Sequence, residues 1–296
     1  MRIHALLAAL SVTGLLALHA CSSEVTGSPS PDASALEDAF VPPPPPGVPG
    51  LDAQAADARG PDGGADTSGA DTSGSGDSGP YGDILGTHSG SCGEVRAELG
   101  RAAPSLKIGA LAFAPGETYD KSSLSPGGQR IFDTPNAGGS STESEVMSFE
   151  VLRYCEGASL LKTETEVVYG PAPDGGANAI TDILVEIDGK AVGVSVTRAY
   201  KPVNQGAQTD AEVKTLLERK LQGINASTAR VSPGDRWVKQ VLHVLAATQA
   251  SVDAISRVLP TIDAATQADT VVLVTRTTGG GFIYCNPDPP LGQECP

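Results

Sequence analysis

The stretch ITDILVEIDGKAVGVSVTRA (residues 180–199) decides the fold class. It holds two runs rich in β-branched residues, 180–187 and 191–199, which are joined through Asp188 and Gly189. An Asp-Gly pair between such runs predicts a two-residue hairpin, because a type I′ turn needs positive φ at both central residues. We therefore expect two antiparallel strands here.

Further helices and strands are predicted on both sides of this hairpin. Thr142 to Glu145 forms a capping box that opens a helix ending at Gly157, and a second box, Thr209 to Glu212, opens one ending at Gly223. The other predicted elements are strands at 160–169, 237–247 and 270–275, a helix from 249 to the residue before Pro260, and a short edge strand at 282–285.

The resulting order, αβββαβαβ over residues 140–285, predicts an α/β core domain. The late strands are continuously apolar, which is typical of strands that are buried on both faces. We therefore expect a mixed central sheet flanked by helices, with His243 as a hydrogen-bonded core residue. Residues 84–139 are punctuated by Gly and Pro and predict an irregular N-terminal elaboration, in which 92–99 could form a short helix and 106–113 a strand. Residues 286–296 predict a C-terminal tail.

The first twenty residues have the pattern of a secretory signal peptide. A positive start leads into an apolar run, 5–17, that is too short to span a bilayer permanently. The ending, Leu18-His-Ala-Cys21, resembles the lipobox of bacterial lipoproteins, although His19 departs from the small residue usual there. The resemblance implies a lipid on Cys21 and a place in the bacterial cell envelope; Ser22 favours the outer membrane. The alternative is an ordinary cleaved signal that leaves Cys21 free.

Residues 21–83 predict a disordered acidic tether that is rich in Pro, Gly, Ser and Asp. Five prolines stand in a row at 42–46, and Ala-Asp-Thr-Ser-Gly occurs at both 65–69 and 70–74. Residues 22–83 contain eleven acidic residues and one basic residue, Arg59. With so few bulky apolar side chains the segment cannot offset the entropy of ordering. We expect it to hold the domain away from a membrane.

Cysteine count and charge narrow the remaining chemistry. Apart from Cys21 the chain has four cysteines, which allow three pairings. We favour Cys285 with Cys295, because they close a short loop, which leaves Cys92 with Cys155. From residue 84 onward there are 24 acidic and 18 basic residues, so a nucleic-acid partner is not expected, and a protein or glycan partner is left open.

The order of residues from Glu145 to Lys220 is similar to the core of the PD-(D/E)XK nuclease superfamily. That restriction-endonuclease-like fold brings an Asp on one strand and a Glu-x-Lys on the next to one sheet edge. The resemblance implies Asp182 as the Asp, with Ser195 and Thr197 in the Glu and Lys positions. Neither hydroxyl supplies charge for a hard cation. We therefore expect a non-catalytic domain without a cofactor, used for binding or structure.

The alternative is an extracytoplasmic, Mg²⁺-dependent nuclease with relocated groups. Asp182 and Glu164 would hold the metal, Glu145 would join them from the helix, and Arg198 or Lys220 would replace the lost lysine. Each group also has a structural explanation, such as helix capping for Glu145. The segments 144–150, 161–164 and 193–199 are also similar to a group of proteins without an assigned activity.

Overall fold

The computed structural model describes residues 77–115, 117–137, 142–172 and 179–284. The strands of this part are β1 (Asp77–Gly79), β2 (Gly82–Ile84), β3 (Thr87–Ser89), β4 (Ser105–Ala112), β5 (Ser159–Thr163), β6 (Ile183–Ile187), β7 (Lys190–Ala199), β8 (Lys239–Ala246) and β9 (Val271–Thr278). Its α-helices are α1 (Glu94–Glu98), α2 (Pro126–Asp133), α3 (Thr142–Glu156), α4 (Asp210–Arg230), α5 (Gln249–Val258) and α6 (Ala264–Gln267).

A seven-stranded mixed sheet flanked by helices confirms the predicted α/β class. The strand order is β3-β4-β9-β8-β7-β6-β5. The four middle strands are parallel to one another, whereas β3 at one edge and β6 and β5 at the other are antiparallel to their neighbours. Every residue of β8 is buried, which agrees with the apolar run that it carries from Val241 to Ala246 around His243.

The hairpin between β6 and β7 is confirmed. Asp188 and Gly189 have φ angles of 50° and 71°, as a type I′ turn requires. This turn sets the register, in which Ile183 pairs with Val194. The register therefore decides which side chains of β7 lie opposite the residue before β6.

Helices cover both faces of the sheet and bury two apolar cores. On one face Phe149 of α3 belongs to the core that contains Val194 of β7. On the other face Leu217 of α4 and Ile255 of α5 share a core with Leu242 of β8. The alternation of side chains along β7 and β8 assigns neighbouring residues to opposite cores.

His243 lies in the middle of β8 and is fully buried. Its Nδ1 is 2.7 Å from the Ser148 hydroxyl of α3, and its Nε2 is 2.8 Å from the Thr275 hydroxyl of β9. Both ring nitrogens therefore have partners, which confirms the prediction of a hydrogen-bonded core histidine.

The segment before residue 140 contributes more to the fold than the sequence indicated. β1 and β2 form a hairpin over 77–84, where the tether was predicted to reach residue 83. Arg153 donates to the Tyr81 carbonyl at 3.0 Å, and the Arg96 guanidinium lies 5.0 Å from the Tyr81 ring centre. Within residues 84–139, the possible helix at 92–99 and the possible strand at 106–113 are present as α1 and β4, and β4 pairs along its whole length with β9. These contacts are tertiary, so local composition did not reveal them.

Two predicted element boundaries and one predicted element type are wrong. Helix α4 continues past Gly223 to Arg230, because Leu221 and Ile224 on either side are buried, and their packing outweighs the roughly 1 kcal/mol cost of an internal glycine. Strand β5 ends at Thr163, whose capping box with Glu166 turns the chain into a 3-10 helix. A 3-10 helix at 281–283 also replaces the predicted edge strand at 282–285.

Several predicted features lie outside the described residues. They are the signal peptide, Cys21, most of the tether, Cys285, Cys295 and the tail. Among the described residues, none of the helices combines the length and the apolar character that crossing a membrane requires.

Candidate functional site

Asp182 is positioned by the hairpin register. It stands one residue before the Ile183–Val194 pair and so lies opposite Ser195. Its backbone N–H donates to the Val194 carbonyl at 3.1 Å, and its carboxylate accepts from the Val196 N–H at 2.6 Å. The side chain is therefore held against β7 by its own strand pairing.

Lys220 approaches the same point from α4. Its ammonium group donates to the Val196 carbonyl at 3.2 Å, so the Val196 residue contacts both the acid and the base. The buried side chains Leu217 and Leu221 fix this turn of α4 against the sheet. The structure thus places Lys220 near Asp182, as the nuclease alternative requires of a replacement lysine.

The surroundings of Asp182 have opposing effects on the pKa of its carboxyl group. Burial raises the pKa of this carboxyl to about 6, and the negative charge of Glu164 adds to the rise. The Lys220 charge and the Val196 N–H act against it, because both stabilise the carboxylate. Asp182 is therefore a proton acceptor poised near neutral pH, which is a frequent property of functional sites.

Glu145 and Glu164 contact consecutive residues of one loop. The Asn136 side-chain amide donates to Glu145 at 2.8 Å, and the Ala137 N–H donates to Glu164 at 2.8 Å. Thr142 is the first residue of α3, so it does not occupy the N-cap position before the helix that the predicted capping box with Glu145 requires. Glu164 was predicted to lie on the strand at 160–169, but it lies in the 3-10 helix that follows β5.

These carboxylates do not close around a common metal position. Within the described residues, one group of three His, Cys, Asp or Glu side chains has ligand atoms within 4.8 Å of one another, and it is His88, Cys92 and Cys155. Glu145, Glu164 and Asp182 are thus in one region but are not gathered into a coordination shell.

Arg198 points away from Ser195 and Thr197. The Ser195 hydroxyl is buried, 3.5 Å from the hydroxyl of Thr181, and Thr197 is also buried. Arg198 has the opposite parity on β7, and its guanidinium lies 3.4 Å from the Ile283 carbonyl. Arg198 is therefore on the other face of the sheet from Ser195 and does not replace the missing lysine.

Cys92 and Cys155 form a disulfide, which is the pairing expected when Cys285 pairs with Cys295. The ring of His88 lies beside it, with Nε2 3.5 Å from the Cys155 sulfur. The bond joins the segment before α1 to the end of α3 and so ties the N-terminal segment to the core domain.

A cavity of about 280 Å³ at the carboxyl ends of β7, β8 and β9 was not predicted from the sequence. In the described part of the chain, its charged lining residues are Lys201 and Arg276. The sequence feature that could have pointed to this cavity is Arg276, a single cationic residue directly after the apolar run 271–275.

Comparisons with known proteins find one similar sequence and one weakly similar structure. The AAC-rich mRNA clone AAC4 protein of Dictyostelium discoideum is 42% identical over 167 residues, which cover 54% of this chain. The aligned region is 24% of that protein, so the chain spans about a quarter of its length. The structure of Pyrococcus furiosus SfsA in complex with Ca²⁺ aligns over 50% of this chain and 70% of that one, with 14% identity and a TM-score of 0.25. No family model matches the chain.

Proposed function

We propose that the chain is an exported, lipid-anchored protein whose α/β domain has a restriction-endonuclease-like fold and acts by binding rather than by catalysis. The element order supports this fold. A helix (α3), the antiparallel strands β5, β6 and β7, a second helix (α4) and the parallel strand β8 follow the arrangement that the PD-(D/E)XK resemblance implies.

The observation that carries the non-catalytic proposal is the shortage of metal ligands at Asp182. Two buried hydroxyls, Ser195 and Thr197, stand in the places of a carboxylate and an ammonium group. The Asp182 carboxylate already accepts a backbone hydrogen bond. Mg²⁺ demands near-ideal octahedral oxygen geometry and gives up its waters reluctantly, so a single engaged carboxylate is a poor site.

Calorimetry and a cleavage assay test this proposal on the full-chain protein. We expect no Mg²⁺ or Mn²⁺ binding tighter than about 1 mM, a free energy of roughly −4 kcal/mol. We also expect no cleavage of DNA or RNA with either metal. The matched control for Asp182→Ala is Asp253→Ala, which removes an exposed Asp of α5. Tight metal binding or cleavage that Asp182→Ala abolishes and Asp253→Ala preserves would overturn the proposal.

A metal-dependent nuclease is the second candidate, and the position of Lys220 favours it. Lys220 and Glu164 both act on the charge of Asp182, which is the electrostatic relation that a two-carboxylate metal site with a nearby lysine needs. Binding of Mn²⁺ would draw Glu164 away from the Ala137 N–H. Under this candidate Lys220→Met lowers cleavage strongly, whereas Lys214→Met on the same helix does not.

The anchor and its location are tested separately from the domain. Radiolabelled palmitate should be incorporated in the wild type and lost in Cys21→Ala, and a Cys295→Ala variant should keep the label. Label that persists in Cys21→Ala would contradict the lipid anchor. The Ser22 prediction adds that membrane fractionation in a bacterial host recovers the protein with the outer membrane.

A further inference from the structure

The cavity of about 280 Å³ lies where open α/β sheets commonly bind their ligands, just beyond the carboxyl ends of parallel strands. Tyr200 follows β7, Ala247 follows β8, and Gly279 follows β9, so the three strand ends form its floor. The volume is slightly below the roughly 300–1,000 Å³ of most small-molecule sites, which favours a small ligand.

The charge of the lining is positive and is not balanced within the cavity. Among the described residues, Lys201 and Arg276 are the charged ones that line it, and no described Asp or Glu does so. Lys201 pairs with Glu212 at 2.7 Å outside the lining. For Arg276, the described part of the chain shows no side-chain hydrogen bond or ion pair. A half-buried guanidinium without a counter-ion is costly, and an anion would supply what is missing.

The other residues that line the cavity favour an anion that also carries an apolar group. The rings of Tyr200 and Tyr284 have centroids 5.1 Å apart and present aromatic surface to the cavity. The Tyr284 hydroxyl is engaged with the Thr277 hydroxyl at 2.7 Å. Thr248 and Ser251, at the start of α5, add hydroxyl groups to the rim.

We propose that this cavity binds a small organic anion, with its charged group on the Arg276 guanidinium and its apolar body against the rings of Tyr200 and Tyr284. An aryl phosphate or aryl carboxylate has the required size, charge and apolar surface. The site shares no lining residue with the region around Asp182, so it stands apart from any metal chemistry there.

Calorimetry on the full-chain protein with phenyl phosphate and benzoate tests the proposal, with benzyl alcohol and benzylamine as neutral and cationic counterparts. We expect at least one anion to bind with a dissociation constant of about 1 mM or tighter, and both counterparts to bind at least tenfold more weakly. Arg276→Gln should weaken the anion at least tenfold, whereas Arg276→Lys should keep most of the affinity. Arg257→Gln, which removes an exposed arginine outside the cavity, should change nothing.

A second variant keeps the test decisive if Arg276→Gln is unstable. Ala207 is exposed and lines the cavity, so Ala207→Trp should fill it and abolish binding without touching the cation. Three results would each overturn the proposal: neither anion binds at 10 mM, benzyl alcohol binds as tightly as the anions, or a folded Ala207→Trp variant binds like the wild type.

Discussion

Asp182 and His243 are titratable side chains of the same sheet, and the protein surrounds them in opposite ways. His243, in the middle of the parallel part, has a neutral hydroxyl on each ring nitrogen, and both burial and the charge of His88 lower its pKa. Asp182, at the start of the antiparallel part, lies between the charges of Lys220 and Glu164. A buried titratable side chain whose hydrogen bonds are all made to neutral groups is typical of a structural residue. One that lies between charges of opposite sign is typical of a functional site.

The same difference gives the two residues opposite effects on stability with pH. Burial lowers the pKa of His243 to about 3, so the stability it contributes is lost as pH falls below about 6.5. Burial raises the pKa of Asp182 to about 6, so its ionisation destabilises the fold as pH rises from about 4 through 6. Between pH 4 and 6, His243 makes the free energy of unfolding rise with pH, whereas Asp182 makes it fall. Variants of each residue alone should separate the two contributions.

The largest effect is expected from His243→Ala. It leaves a cavity and two buried hydroxyls without partners, which should cost about 3–5 kcal/mol at pH 7. At pH 5 the loss should be smaller by about 2 kcal/mol, because the wild type has by then lost part of the histidine contribution. Urea unfolding followed by Trp237 fluorescence measures both values. A loss below 1 kcal/mol that is equal at the two pH values would contradict the structural role.

Asp182→Asn should have the next largest effect. Asn can still accept from the Val196 N–H but does not ionise, so the variant escapes the destabilisation above pH 6. Relative to the wild type, its free energy of unfolding should improve by up to about 3 kcal/mol between pH 4 and pH 7. Asp253→Asn on exposed α5 is the control and should show a pH-independent difference. If the difference in free energy of unfolding between Asp182→Asn and the wild type is also independent of pH, burial of the ionised Asp182 does not destabilise the fold.

The smallest effect is expected from Lys220→Met. Removal of the cation should raise the pKa of Asp182 by about one unit and lower stability by about 1 kcal/mol above pH 7. Carboxyl ¹³C NMR titration measures the pKa directly. Lys214→Met, which removes a cation paired with Glu218 on the same helix, should leave the Asp182 titration unchanged. If the pKa of Asp182 is the same in Lys220→Met as in the wild type, the Lys220 charge does not act on Asp182.

The sequence predicted local features well where their cause is local. The Asp188-Gly189 turn, the Thr209 capping box and the apolar run of β8 each depend on residues within one element, and all three are present. Prediction of the site was less complete. Lys220 reaches the region of Asp182 as proposed, whereas Arg198 lies on the opposite face because strand parity decides its direction.

The sequence alone determined the hairpin, the capped helices and the burial of the late strands, because turn chemistry and apolar periodicity act between near neighbours. Only the tertiary structure decided that β4 pairs with β9, that Gly223 lies inside a helix, and that Lys201 and Arg276 meet at one cavity. Those arrangements join residues far apart in the chain, and their free energy comes from contacts that form only when the sheet is assembled.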